Sequence, residues 1–202
     1  MRQRPTIVVL AAGQGSRFGG PVHKLLQPLG EATVLDTTLQ HVLASGCPFV
    51  VVTTARLMPS VLRQVALRDL LVLTDEEAAR GIGHSIACGV AERPDASGWL
   101  VLPGDMPRVS TASIQAVADA LSEQPVAFPQ YRGRRGHPVG FGSELFPDLI
   151  ALTGDEGARR IIARYPAHAI EVDDAGVLVD IDTEADLARV RDGSLQASSD
   201  PA

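Results

Sequence analysis

The chain has 202 residues, with 18 lysines and arginines against 24 aspartates and glutamates, for a formal charge of −6. At that length one domain buries roughly 70% of the surface its unfolded form exposes, so neither a disulfide nor a zinc staple is required. The acidic balance excludes general nucleic-acid binding, which needs a basic face. The longest apolar run, Ile7 to Ala12, falls far short of the roughly twenty residues of a membrane span. A glycine-rich turn follows that run directly, unlike a secretory leader. Cys47 and Cys88 form no CxxC pair and read as small buried apolar residues in a reducing, cytoplasmic setting.

The first predicted strand is Thr6 to Leu10. Val34, Leu35, Leu39, Val42 and Leu43 then recur at helical spacing and stop near Gly46. His41 sits on that helix as a packing or surface residue. A strand from Phe49 to Val52 leads through Pro59 into a helix carrying Val61, Leu62 and Val65, and a third strand follows at Leu71 to Leu73. Next come a helix over Ile82 to Val90, a strand at Trp99 to Leu102, and a helix through Ile114, Val117 and Leu121 that Ser110 caps. Beyond Pro125 the pattern loosens into strands at Val126 to Phe128 and Val139 to Phe141, a short helix, a last strand from Val177 to Ile181 and a terminal helix. Alternating strands and helices predict an α/β fold with a mostly parallel sheet buried on both faces. Residues 1–191 read as a single domain and 192–202 as a disordered tail.

In such a sheet ligands gather at the carboxyl ends of strands. The first strand ends in Leu10-Ala11-Ala12-Gly13-Gln14-Gly15-Ser16-Arg17-Phe18-Gly19-Gly20, with Lys24 beyond. Small residues let backbone N–H groups approach an anion, and two cations flank the loop. It is not a dinucleotide fingerprint, because Phe18 stands where the third glycine belongs, and not a Walker loop, because Pro21 follows Gly20.

The fourth strand ends in Leu102-Pro103-Gly104-Asp105-Met106-Pro107, where Asp105 either reaches a hard cation or caps a turn. Asp180 and Asp182 offer further carboxylates, unless Asp182 or Thr183 simply caps the terminal helix. The loop Arg132-Gly133-Arg134-Arg135-Gly136-His137-Pro138 is either a phosphate contact or a solvated tip. Gly154-Asp155-Glu156-Gly157-Ala158-Arg159 resembles a helix start, and Gly81 to Ser85 offers a small-residue floor for a ribose or base. Histidines at 23, 41, 84, 137 and 168 share no i, i+3 or i+4 spacing, so a zinc site has no basis, and no GxSxG nucleophile is present.

LAAGxGxRFGG followed by a lysine, then PGDMP, RGRRGHPV, GDEGAR and DIDTEADL, in that order, resemble the NTP-transferase fold proteins that include the molybdenum-cofactor cytidylyltransferases. The resemblance spans Val8 to Leu187. It implies a three-layer, Rossmann-like fold of the nucleotide-diphospho-sugar transferase type. It also implies transfer of CMP from CTP to the terminal phosphate of the molybdopterin cofactor, releasing pyrophosphate.

On that resemblance Leu10, Ala11, Ala12, Gly13, Gly15, Ser16, Gly83, Ser85, Pro103 and Gly104 are expected around the nucleotide. Arg17, Lys24 and Asp105 are expected to be catalytic. Asp105, with Asp180 or Asp182, would hold Mg2+. Arg134, Arg135, His137, Asp155 and Glu156 would face a phosphorylated pterin acceptor, and a molybdenum hydroxylase or its chaperone is an expected partner. Ala12 matches the cytidine-using members, since guanosine-using relatives carry glycine there.

Two departures stand out. Pro21, Val22 and His23 precede Lys24 where family members commonly have one residue, an insertion that leaves open whether the lysine still reaches the phosphates. Gly30-Glu31-Ala32-Thr33 replaces a Gly-rich basic turn. The alternatives are an NAD(P)H-dependent reductase of a small dye or quinone on the same fold, and a non-enzymatic molybdenum-cofactor carrier.

Overall fold

Thr6-Ile7-Val8-Val9-Leu10-Ala11 forms the central strand β1 (Thr6–Ala11) of the computed structural model, which describes residues 4–19 and 21–193. A small hairpin, β2 (Pro28–Leu29) and β3 (Ala32–Thr33), leads into α1 (Val34–Ala44). Then come β4 (Phe49–Thr54), α2 (Met58–Val61), β5 (Leu70–Leu73), α3 (Asp75–Ala78), α4 (Ile82–Ala91), β6 (Gly98–Pro103) and α5 (Thr111–Ala120). The chain ends with β7 (Val126–Tyr131), β8 (Arg134–Arg135), β9 (Val139–Gly142), α6 (Phe146–Ile150), α7 (Arg159–Arg164), β10 (Ala167–Glu171) and α8 (Glu184–Arg191).

The main sheet runs β10-β7-β9-β6-β1-β4-β5, with β8 paired outside this path to β7. β1 is parallel to both neighbours, Val9 lying opposite Val51 of β4 and Leu102 of β6. β9 is inserted antiparallel between β6 and β7. This is the α/β three-layer architecture expected from the alternation of strands and helices. The chain leaves β1 toward β4 on one side and returns to β6 on the other, so the crevice beyond Ala11 and Pro103 is the switch point where such sheets bind ligands.

Both faces of β1 are buried: Ile7 and Val9 pack with Leu35, Leu39, Ile114 and Leu187, whereas Val8 packs with Val52, Ile86 and Val90. That explains the unbroken apolar run. Gly89 brings α4 onto the sheet, since a Cβ there would lie 2.4 Å from Val8 Cγ1 and 2.8 Å from Val52 Cγ2. Helix starts are fixed by side chains: Thr33 and Asp36 form a capping box on α1, Ser110 accepts from Ser113 N–H on α5, and Thr183 forms a box with Asp186 on α8.

The distal third departs from the sequence reading. Val177 to Ile181 is no strand: Ala175–Leu178 coils into a 3-10 turn, and its polar groups serve loops. Val177 C=O accepts from His137 N–H, and Ile181 N–H donates to Asp105 C=O. The last strand is instead β10, a largely exposed edge whose Ala-His-Ala-Ile-Glu sequence carries no apolar run. The helix expected at Gly154 begins only at Arg159, preceded by turns. Cys47 is buried, but Cys88 is only partly so, its Sγ 3.5 Å from His84 Nε2, and burial raises its thiol pKa. Of the expected tail, residues 194–202 lie outside the described residues. Among the described residues no helix is long and apolar enough to cross a membrane.

Candidate active site

The loop after β1 is built by conformation. Gly15 and Gly19 adopt φ of 64° and 74°, left-handed values that favour glycine. Phe18 between them is buried and anchors the loop to the core, its N–H donating to Gly15 C=O. Among the described residues, the N–H groups of Gly13, Gln14, Gly15 and Ser16 donate to no protein acceptor. Gly13, Gln14 and Ser16 are exposed, whereas Leu10, Ala11 and Ala12 form the packed floor. Such a set of outward amides suits an anion.

Asp105 reaches the same crevice from β6. Gly104 N–H donates to Leu10 C=O at 2.9 Å, and a Cβ at Gly104 would sit 3.0 Å from that oxygen, so the Pro103-Gly104 turn closes tightly on the end of β1. Thr38 Oγ1 donates to Gly104 C=O from α1 and holds the turn. On the far side Ile181 N–H donates to Asp105 C=O at 3.0 Å, which brings Asp182 alongside. Thr183 supplies the helix cap, so Asp182 is left for the site.

These placements converge on Lys24. Its Nζ lies 2.5 Å from Asp105 Oδ2 and 2.7 Å from Asp182 Oδ1, and Arg17 reaches Asp182 Oδ2 at 2.8 Å. The insertion before Lys24 therefore does not carry it out of the crevice: Lys24 opens a 3-10 turn, Lys24–Leu26, that aims the ammonium inward. Burial opposes the lysine's charge, but the Asp105 and Asp182 carboxylates outweigh it and hold its pKa above the ordinary value. Asp180 moves the other way for a carboxyl: burial first, then the Asp105 and Asp182 charges, push its pKa up.

Asp105 and Asp182 thus share the Lys24 ammonium, with Asp180 near enough for their charges to act on it. Asp105 Oδ1 is in addition buried with no hydrogen-bond partner. A spare carboxylate oxygen with a second carboxylate beside it fits a hard divalent cation that takes one or two carboxylates and fills its other positions with water and phosphate oxygens. It does not fit a cation needing an all-protein cage, since no group of three or more His, Cys, Asp or Glu among the described residues could hold a metal.

The residue that sequence reasoning missed is His23. It is buried; its Nδ1 accepts Leu25 N–H at 3.2 Å, so Nε2 carries the ring proton and donates to Gly13 C=O at 2.9 Å. Its position inside the insertion, with no spaced partner, gave no signal.

The other candidates fall into two groups. The fold joins Gly81 to Ser85 with the 154–156 turn: Gly83 N–H donates to Gly154 C=O at 2.8 Å, and Gly154 N–H to Arg80 C=O. Gly83 and Ser85 are buried there, Asp155 Oδ1 lies beside Gly81, and Glu156 pairs with Arg160. Arg134 and Arg135 are exposed on β8, Arg135 stacking over Phe128 at 5.7 Å. His137 turns inward; burial lowers its pKa, the Asp105 charge acts on it, and its Nδ1 is buried without a hydrogen-bond partner.

A family model, the MobA-like NTP transferase domain, matches residues 7–170. Among curated proteins the chain is 32% identical to the purine catabolism protein PucB of Bacillus subtilis over 91% of this chain and 94% of that one. It is 26% identical to nicotine blue oxidoreductase of Paenarthrobacter nicotinovorans (92% and 95%) and 23% identical to molybdenum cofactor cytidylyltransferase of Escherichia coli (92% and 94%). Among solved structures, Rv0371c of Mycobacterium tuberculosis superposes with a TM-score of 0.80 at 29% identity, covering 94% of this chain and 99% of that one. A manganese complex of that protein superposes with a TM-score of 0.77 at 27% identity, covering 94% and 99%. With the glycine loop, the Asp105 turn and the cluster around Lys24 in one crevice, the chain belongs to the MobA-like NTP transferase family of nucleotidyltransferases.

Proposed function

We propose that the protein transfers CMP from CTP to the terminal phosphate of the molybdopterin cofactor. An acceptor phosphate oxygen attacks the α-phosphorus, the bond from that phosphorus to the bridging oxygen breaks, and pyrophosphate leaves with the electron pair. The observation that carries the reading is the Lys24 bridge between Asp105 and Asp182 at the mouth of the glycine loop. An ionised phosphate nucleophile needs no strong base, so the chemistry reduces to positioning and charge neutralisation.

The Gly13–Ser16 amides receive the triphosphate oxygens, and Arg17 and Lys24 take up charge as pyrophosphate departs. Asp105 and Asp182 are the residues that would hold Mg2+, with Asp180 next to them; a bound divalent cation supplies charge neutralisation on the phosphates. Ala12, buried at the floor, matches the cytidine-using members on the family resemblance, which supports a pyrimidine. Arg134, Arg135 and His137 form the side proposed to meet the acceptor. The E. coli cytidylyltransferase supports this substrate pair.

One relative favours a second reading, reduction of a dye with NAD(P)H, because nicotine blue oxidoreductase aligns over nearly the whole chain. A thermal-shift panel of CTP, GTP, ATP, UTP and NADPH, each with and without Mg2+, separates the two. A ligand at a hundred times its Kd adds about 2.7 kcal/mol, enough for a shift of several degrees. The proposal expects the largest shift with CTP and Mg2+. A shift with NADPH alone supports the reductase, and one with GTP overturns the pyrimidine assignment.

A further inference from the structure

We infer that His23 is a positioning residue that sets the glycine loop and the Lys24 turn in register, so that one neutral imidazole couples the grip on the triphosphate to the placement of the ammonium. The inference rests on the reading of this crevice as a triphosphate site. It follows from the two ends of the ring. Nε2–H donates to Gly13 C=O on the loop after β1, and Nδ1 accepts from Leu25 N–H in the turn that Lys24 opens. The same imidazole fills the space over Gly15: a Cβ there would lie 3.3 Å from His23 Nε2 and 3.3 Å from Lys24 Cγ, at a backbone φ of 64°. Loop, histidine and lysine are thus packed as one unit.

Bonding Gly13 C=O also fixes the plane of the Gly13–Gln14 peptide, whose N–H is one of those that donate to no protein acceptor among the described residues. Burial lowers the His23 pKa, which keeps the ring in the neutral form that can donate at one nitrogen while accepting at the other. The segment Pro21-Val22-His23 between the glycine pair and Lys24 supplies this histidine.

The test uses the full chain and inorganic tripolyphosphate with Mg2+ as the probe, which needs neither the base nor the acceptor to be known. His23→Ala is expected to weaken tripolyphosphate binding in calorimetry by about tenfold or more, the loss expected from removing hydrogen bonds that order a charged site. His23→Gln, whose amide nitrogen reaches the place of Nε2 and keeps the bond to Gly13 C=O but not the one from Leu25 N–H, is expected to recover part of that affinity. A fold support alone would let both variants bind as the wild type does once folded. Equal affinity in His23→Ala and wild type, or equal losses in Ala and Gln, overturns the inference. If the wild type itself does not bind tripolyphosphate, the triphosphate reading fails. Amide hydrogen exchange of Phe18 and Leu26, whose N–H groups donate to Gly15 C=O and His23 C=O, then decides the positioning role separately: faster exchange in His23→Ala and not in His23→Gln supports it, and unchanged exchange overturns it.

Discussion

Lys24 and Asp105, 81 residues apart in the chain, meet at 2.5 Å, and the same ammonium holds Asp182 at 2.7 Å. Three segments from different parts of the fold therefore share one charge. Lys24→Met leaves Asp105 and Asp182 close together without that cation. The Lys24 side chain is only 12% exposed, so the loss is on the order of 3 kcal/mol in urea unfolding, accompanied by loss of nucleotidyl transfer. Lys24→Arg should not restore turnover, because a planar fork cannot sit as a point donor between the two carboxylates. An unchanged unfolding midpoint in Lys24→Met would show that the bridge carries no structural weight.

Arg17 is the contrasting case. Its side chain is 78% exposed, so its pair with Asp182 contributes little to stability. Arg17→Ala should lower the melting temperature by no more than about 2–4 °C, since exposed pairs are worth about 0–1 kcal/mol. It should raise the apparent KM for the nucleotide and slow turnover. Unchanged KM and turnover in this variant would show that Arg17 takes no part in holding the nucleotide or in the transfer.

Gly89→Ala tests the fold that positions the crevice. The added methyl would meet Val8 and Val52 at 2.4 Å and 2.8 Å, forcing α4 off β1 and β4. Overpacking of this kind costs about 1–3 kcal/mol, despite the helix propensity that alanine adds. A stabilised variant by chemical denaturation contradicts the packing described here.

Acid should destabilise the protein early. Burial holds His23 and His137 below their ordinary value of 6.5, so between that value and the folded pKa the unfolded chain binds more protons than the native one. Stability from these groups is complete above about pH 6.5 and falls as pH drops through the window. Asp180, pushed up by burial and its acidic neighbours, works in the opposite sense: its penalty on the native state grows as pH rises above the usual carboxylate range. Asp180→Asn should therefore stabilise the protein at pH 7.5. Urea midpoints at pH 7.5, 6.5 and 5.5 check both signs, and a wild-type midpoint that rises between pH 6.5 and 5.5 contradicts the histidine account.

The inner strands and their flanking helices were legible in the sequence because burial on both faces leaves continuous apolar runs such as Ile7 to Leu10 and Trp99 to Leu102. The site elements Gly13 to Arg17 and Asp105 were legible because glycines and turn-formers at strand ends have a physical purpose there. β10 was not, since an exposed edge strand needs no apolar pattern, and Val177 to Ile181 misled because its buried valines and isoleucine pack without a neighbouring strand. His23 was invisible for a different reason. Its role comes from two backbone atoms, Gly13 C=O and Leu25 N–H, and backbone partners leave no trace in residue identity.

The central claim is that the glycine loop and the Lys24–Asp105–Asp182 cluster form one site for a nucleoside triphosphate and its divalent cation. Calorimetric titration of CTP with Mg2+ into the wild type and into Asp105→Asn tests it most directly. The account predicts a saturable heat in the wild type that disappears without Mg2+ and is lost in the variant, whose fold is retained by circular dichroism. Equal CTP affinity in the two proteins, or binding indifferent to the cation, would contradict it.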